Sequence, residues 1–131
     1  LVVLMLGTND LQATHQHHGW HAAQGVATLL HTIRTAPIEP GLSVPPILVV
    51  APLSIGEPRG AIAAKFIDGQ TRSAGMAGLL AEICQQQQCY FFDANQVVST
   101  SKTDGVHLDA PDHLTLADAL SKIIAPLLMV Q

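Results

Sequence analysis

Charge is scarce in this sequence. Aspartate, glutamate, lysine and arginine together make up 12% of its 131 residues, about half the share usual in globular chains. The six lysines and arginines stand singly, at Arg34, Arg59, Lys65, Arg72, Lys102 and Lys122, in a chain of formal charge -4. No basic stripe exists to neutralise a phosphate backbone, so nucleic acid is not an expected partner. Long apolar runs are also missing. Leu1 to Leu6, Ile47 to Leu53 and the proline-broken Ile123 to Val130 all fall far short of the ~20 residues of a membrane-spanning helix.

Cysteine is limited to Cys84 and Cys89, too few for a disulfide framework, and the pair reads as free thiols. The N-terminal apolar run has no positive residues before it and no small-residue cleavage pattern after it, so it does not read as a signal peptide. A cytoplasmic location is the favoured expectation, with the compartment otherwise open. The length allows one domain.

Apolar residues make up 48% of the chain, enough for a core, and their spacing alternates between two kinds. Leu1 to Leu6 is apolar on both faces and stops at Gly7, which predicts a strand buried in a parallel sheet. Val26, Leu29, Leu30 and Ile33 recur at helical spacing between about Trp20 and Thr35, before Pro37, Pro40 and Gly41 break the pattern. Ile47 to Ala51, bounded by Pro46 and Pro52, predicts a second buried strand. Met76, Leu79, Leu80, Ile83 and Cys84 follow a helical period, and the aromatic run Cys89 to Phe92 reads as a third strand.

A final helix is expected after Asp109 as its cap, with Pro111 just inside and Leu114, Ala117, Leu120, Ile124 and Leu128 on its apolar side. Pro126 should kink or fray its end. Strand and helix thus alternate three times, the pattern of an α/β fold with a parallel sheet and right-handed crossovers. An interior-type strand at Leu1 without a neighbour on one side further suggests that strands precede it.

Open parallel sheets bind ligands beyond the carboxyl ends of their strands. The loops to inspect are therefore Gly7 to Asp10, Pro52 to Glu57 and Asp93 to His107. In the first, Gly7 permits a tight exit from the strand, and the Asn9 carboxamide is a candidate donor to a developing oxyanion. In the last, Gly105 lets the chain bend back so that Asp104 can accept the Nδ1 proton of His107, leaving Nε2 as a general base. Pro52, Leu53 and Ile55 are candidates for contact with an acyl or alcohol group.

These motifs, as Gly7-Thr8-Asn9-Asp10 and Asp104-Gly105-Val106-His107, resemble the third and fifth blocks of the SGNH or GDSL hydrolase superfamily. The stretches VVLMLGTNDL, ILVVAPLSIGE, YFFDANQVVSTS and DGVHLDAPDHLTLADAL are similar to its bacterial arylesterase and acyltransferase branch, so the likeness covers nearly the whole chain. The resemblance implies a three-layer α/β/α, flavodoxin-like fold, and a serine ester hydrolase acting on short-chain acyl esters without a cofactor or metal. It implies that Asn9 belongs to the oxyanion hole, Asp104 is the orienting acid, His107 is the base, and Asp10 braces its loop. It also implies a homo-oligomeric parent.

The family's Gly-Asp-Ser block and following glycine block have no counterpart in this sequence. None of Ser43, Ser54, Ser73, Ser99, Ser101 or Ser121 stands in a nucleophile context. The expectation is that residues 1 to 131 are the C-terminal portion of one hydrolase domain, inactive without the serine that lies outside them. Two alternatives stay open. One is a short, non-catalytic α/β binding module that keeps the pocket or completes its sheet with a partner chain. The other is a metal-binding protein built on His15, His17, His18 and His21, whose spacing sets pairs of rings on one helical face.

Overall fold

The computed structural model of the chain describes residues 1 to 129. Three parallel strands, β1 (Val2–Leu4), β2 (Ile47–Ala51) and β3 (Tyr90–Asp93), form one sheet in the order β1-β2-β3. The long helices α1 (Gly19–Thr35), α3 (Met76–Gln86) and α4 (Ala110–Met129) follow the successive strands, and a short helix, α2 (Gly69–Ser73), precedes α3.

The alternation of side chains along β2 builds two cores. Ile47, Val49 and Ala51 face one side, where they meet Val26 and Leu30 of α1 and Leu80 and Cys84 of α3. Leu48 and Val50 face the other, with Leu116 of α4 and partly buried Leu120, Ile123 and Ile124. All five residues of β2 are buried, and a fully buried Val, Leu or Ile side chain contributes about 1.5–3 kcal/mol relative to exposure. A continuous β-branched apolar run is what a strand covered on both faces requires. The result is the expected three-layer α/β/α arrangement.

Strand β1 is shorter than the run Leu1 to Leu6. Among the described residues it pairs with β2 alone, and Val3, Met5 and Leu6 remain 42%, 37% and 49% exposed. The buried side of α4 agrees with expectation at Leu120 and Ile124, which pack against the second core, and differs elsewhere. Leu114 and Leu128 are 71% and 55% exposed and Ala117 is exposed too, whereas Leu116 turns inward. Leu116, Leu120, Ile123 and Leu127 follow an i, i+4, i+7, i+11 stripe, which rotates the packed face while keeping Leu120 in it. Helix α4 continues past Pro126 to Met129.

Asp109 does not cap α4 with its side chain. Its backbone carbonyl accepts the N–H groups of Asp112 and His113, while its carboxylate accepts the Ser101 hydroxyl at 2.6 Å. No described helix is long and apolar enough to cross a membrane.

Candidate active site

The three strands all point their carboxyl ends the same way, so their exit loops share one edge of the sheet. Asn9 leaves β1 in a 3-10 turn, Thr8–Leu11, entered through Gly7 at φ +129. A β-carbon at Gly7 would lie 3.2 Å from the Met76 sulfur and 3.4 Å from the Ala22 β-carbon, so glycine answers both the backbone angle and the close packing. Fully buried Leu11 pins the far end of the turn. Asn9 itself is exposed, and its Oδ1 accepts a hydrogen bond from Gln12 Nε2 at 3.0 Å. Its Nδ2 hydrogens have no partner among the described residues. A carboxamide held by its oxygen offers its NH2 outward as a donor.

The loop after β3 brings Asp104 and His107 together. Asp104 Oδ2 lies 2.6 Å from His107 Nδ1, and its Oδ1 accepts the backbone N–H groups of Val106 at 2.8 Å and His107 at 2.9 Å. These donors hold the Asp104 carboxyl well below the usual range, down to about 2; the Val106 N–H contributes most, then the His107 ring and its N–H. A carboxylate so fixed is placed to accept an Nδ1 proton, the arrangement in which Nε2 of a neutral imidazole serves as the base, and His107 is exposed. No hydroxyl of a described serine is hydrogen-bonded to His107.

This loop is sewn to the exit loop of β2. Gly56 N–H donates to Gly105 O at 2.7 Å, and Arg59 N–H to Asp104 O at 3.0 Å. Ser101 closes the loop on itself, accepting Gly105 N–H through its carbonyl and donating its own N–H to His107 O, both at 2.7 Å. Gly105 adopts φ +75, a left-handed angle that suits glycine.

Pro52 is buried at the β2 exit, and Leu53 and Ile55, 6% and 3% exposed, pack one into each core. Filling two cores gives this apolar loop a fixed path along the sheet edge. Asn95 fixes the loop from the β3 side, accepting Ser54 N–H at 2.8 Å and donating to Pro52 O at 3.2 Å. The sequence signal for this role is the Asp93-Ala94-Asn95 turn, in which Asp93 Oδ1 accepts Asn95 N–H at 3.0 Å.

Open space meets the site at Asn9. A cavity of about 290 Å³ runs from Met5, Leu6 and Asn9 to Val26 and Leu29, and a second of about 220 Å³ is lined by Asn9, Asp10, His15 and His17. The histidines beside it stack rather than converge. His15 and His17 ring centroids are 5.8 Å apart, His17 and His21 5.0 Å, and His21 Nδ1 accepts the His18 N–H. Among the described residues no group of three or more histidine, cysteine or acidic side chains is arranged to hold a metal ion. Cys84 and Cys89 are free, and burial pushes the Cys84 thiol up to about 11.

No protein-family model matches the chain, and no curated protein matches it significantly. Solved structures do. A carbohydrate acetylesterase from Sinorhizobium meliloti superposes with a TM-score of 0.88 at 29% identity, and a carbohydrate acetylesterase family member from the same organism with 0.88 at 32%. The native aryl esterase of M. smegmatis gives 0.88 at 26%. Each match covers 96% of this chain and 60% of the solved one, so the chain spans three-fifths of the length of these esterases. A likeness this extensive bears out the fold that the two motifs suggested: over the matched residues the chain carries the SGNH hydrolase fold seen in these solved esterase structures.

Proposed function

We propose that this chain supplies the acid–base pair and an oxyanion donor of a serine hydrolase acting on short-chain acyl esters, with the nucleophilic serine outside its 131 residues. The observation that carries the reading is the 2.6 Å contact of His107 Nδ1 with Asp104, on an exposed loop at the sheet edge that also bears Asn9. Such a contact favours the tautomer a general base needs. The similar solved structures are of an aryl esterase and carbohydrate acetylesterases, which favours a small acyl group.

In the proposed reaction, the serine oxygen attacks the ester carbonyl while His107 Nε2 takes the hydroxyl proton. The carbonyl oxygen gains negative charge, which Asn9 Nδ2 meets with a hydrogen bond. His107 then returns the proton to the departing alkoxide, and an acyl-serine remains. Water, deprotonated by the same nitrogen, releases the carboxylic acid and restores the serine. An alcohol in place of water would give acyl transfer. Asp104 keeps its negative charge throughout and stabilises the imidazolium.

The test is hydrolysis of p-nitrophenyl acetate by the complete protein and by its His107→Ala variant. Loss of about 10⁴-fold or more in kcat supports the assignment, by the size of effect expected for a triad member. Turnover within tenfold of the parent would refute it.

A further inference from the structure

Asn9 is useful as an oxyanion donor only if its carboxamide presents NH2, not oxygen. An exposed amide has two faces of nearly equal shape, and only its hydrogen bonds select between them. Gln12 makes both bonds that hold this residue. Its backbone N–H donates to Asn9 O at 3.3 Å, and its side-chain Nε2 donates to Asn9 Oδ1 at 3.0 Å.

Gln12 is anchored in turn. Its carbonyl accepts His15 N–H at 3.0 Å and Arg72 Nη1 at 3.3 Å. Arg72 is only 8% exposed and places its other terminal nitrogen on Ile67 O, while its Nε has no partner. A guanidinium buried against carbonyls, with no carboxylate bonded to it and one N–H unsatisfied among the described residues, carries a desolvation cost. It persists here across the join between the Asn9 turn and α2, two segments far apart in sequence.

We infer that Gln12 is a positioning residue that fixes the orientation of the Asn9 carboxamide, and that Arg72 holds Gln12 in place from behind. The inference rests on the ester hydrolase reading above and adds to it a residue outside the motif. If both amides turned over, Asn9 Nδ2 would donate to Gln12 Oε1 and its oxygen would face the site, repelling the oxyanion it should stabilise.

This selects the variants. In Gln12→Glu the side chain can only accept, so it draws the Asn9 NH2 toward itself. In Gln12→Lys it can only donate, so it keeps Asn9 Oδ1 bound. In the complete protein with p-nitrophenyl acetate, Gln12→Glu should lower kcat by about tenfold or more with KM within about twofold, a share of the 10²–10³-fold attached to an oxyanion donor. Gln12→Lys should recover most of that loss. In an Asn9→Ala background the Gln12→Glu change should cost nothing further, as expected when two residues act through one group.

Equal effects of Glu and Lys, or the same loss with and without Asn9, would overturn the positioning role. Thermal melting of each variant separates misfolding from misorientation, and the Lys variant remains informative should the Glu variant unfold. An Asn9→Ala protein with full turnover would instead overturn the oxyanion reading itself, and the inference with it.

Discussion

The backbone of Gly105 passes so close to Glu57 that a β-carbon at position 105 would sit 2.1 Å from the Glu57 carbonyl oxygen. That approach lets Gly56 N–H reach Gly105 O and brings the β2 exit loop against the turn that carries Asp104 and His107. Gly105→Ala adds both a steric collision and a side chain at φ +75. The left-handed angle alone costs an alanine about 1–2 kcal/mol, and the collision adds to it. Melting of the variant should fall by at least roughly 5–10 °C, the shift that about 2 kcal/mol produces in a domain of this size. Turnover should fall with it, because His107 follows two residues later. An unchanged melting temperature would mean that the loop does not depend on this contact.

Asp104→Asn tests orientation separately from stability. The asparagine oxygen can still accept the N–H groups of Val106 and His107, which now bond Oδ1, so the turn should survive. The amide NH2 would face Nδ1 as a donor and force the ring proton onto Nε2, where it blocks base function. The expected outcome is a fall in kcat of about 10³–10⁴-fold, as for the equivalent change in a serine protease triad, with melting near that of the parent. A loss smaller than tenfold in steady-state kinetics would argue that Asp104 does not set the tautomer.

Acid stability gives a second handle on the same carboxylate. The Asp104 pKa is lowered from 3.8 to about 2 by its three donors, so the folded state binds its proton less readily than the unfolded chain does. Its contribution to stability is therefore present above the unfolded value, near pH 4, and is lost as pH falls through the folded value. Between those limits the melting temperature of the parent should drop more steeply than that of Asp104→Asn. Parallel curves for the two proteins in this acid window would contradict the assigned hydrogen bonds.

The parts of this fold that could be read from the sequence are those whose local pattern and tertiary role coincide. Ile47 to Ala51 is one: prolines bound it, and every residue is buried, so composition and environment agree. Leu1 to Leu6 was legible as a strand but not in its extent. Its composition matches a doubly covered strand, and among the described residues it pairs with β2 through Val2 to Leu4, an end point that no local pattern states.

The Asp104–His107 pair was legible because both partners and the turning glycine lie within one short segment. Gln12 and Arg72 were not, since their contact joins residues 60 apart in sequence and a single buried arginine looks like any surface one. Asp109 was misread for a related reason. An Asp before a helix suits a cap, but Ser101 reaches its carboxylate from the preceding loop, a competition visible only in three dimensions.

The serines of the chain lead to the remaining prediction. Ser73, 1% exposed, accepts Ile55 N–H and donates to Gln70 O. Ser101, 5% exposed, donates to Asp109. Both hydroxyls are thus committed to holding loops, and neither is bonded to a histidine among the described residues. Ser43, Ser54, Ser99 and Ser121 are exposed, and an exposed serine without an adjacent base is a weak nucleophile. A fluorophosphonate, which labels serines activated by a histidine, should therefore leave the 131-residue chain unmodified in intact-mass analysis. The same reagent should add once to a longer form of the protein that includes an activated serine, and the adduct should disappear in its His107→Ala variant. A stoichiometric adduct on the 131-residue chain, mapped to any of its own serines, would place the nucleophile within it and overturn the division of the catalytic groups proposed above.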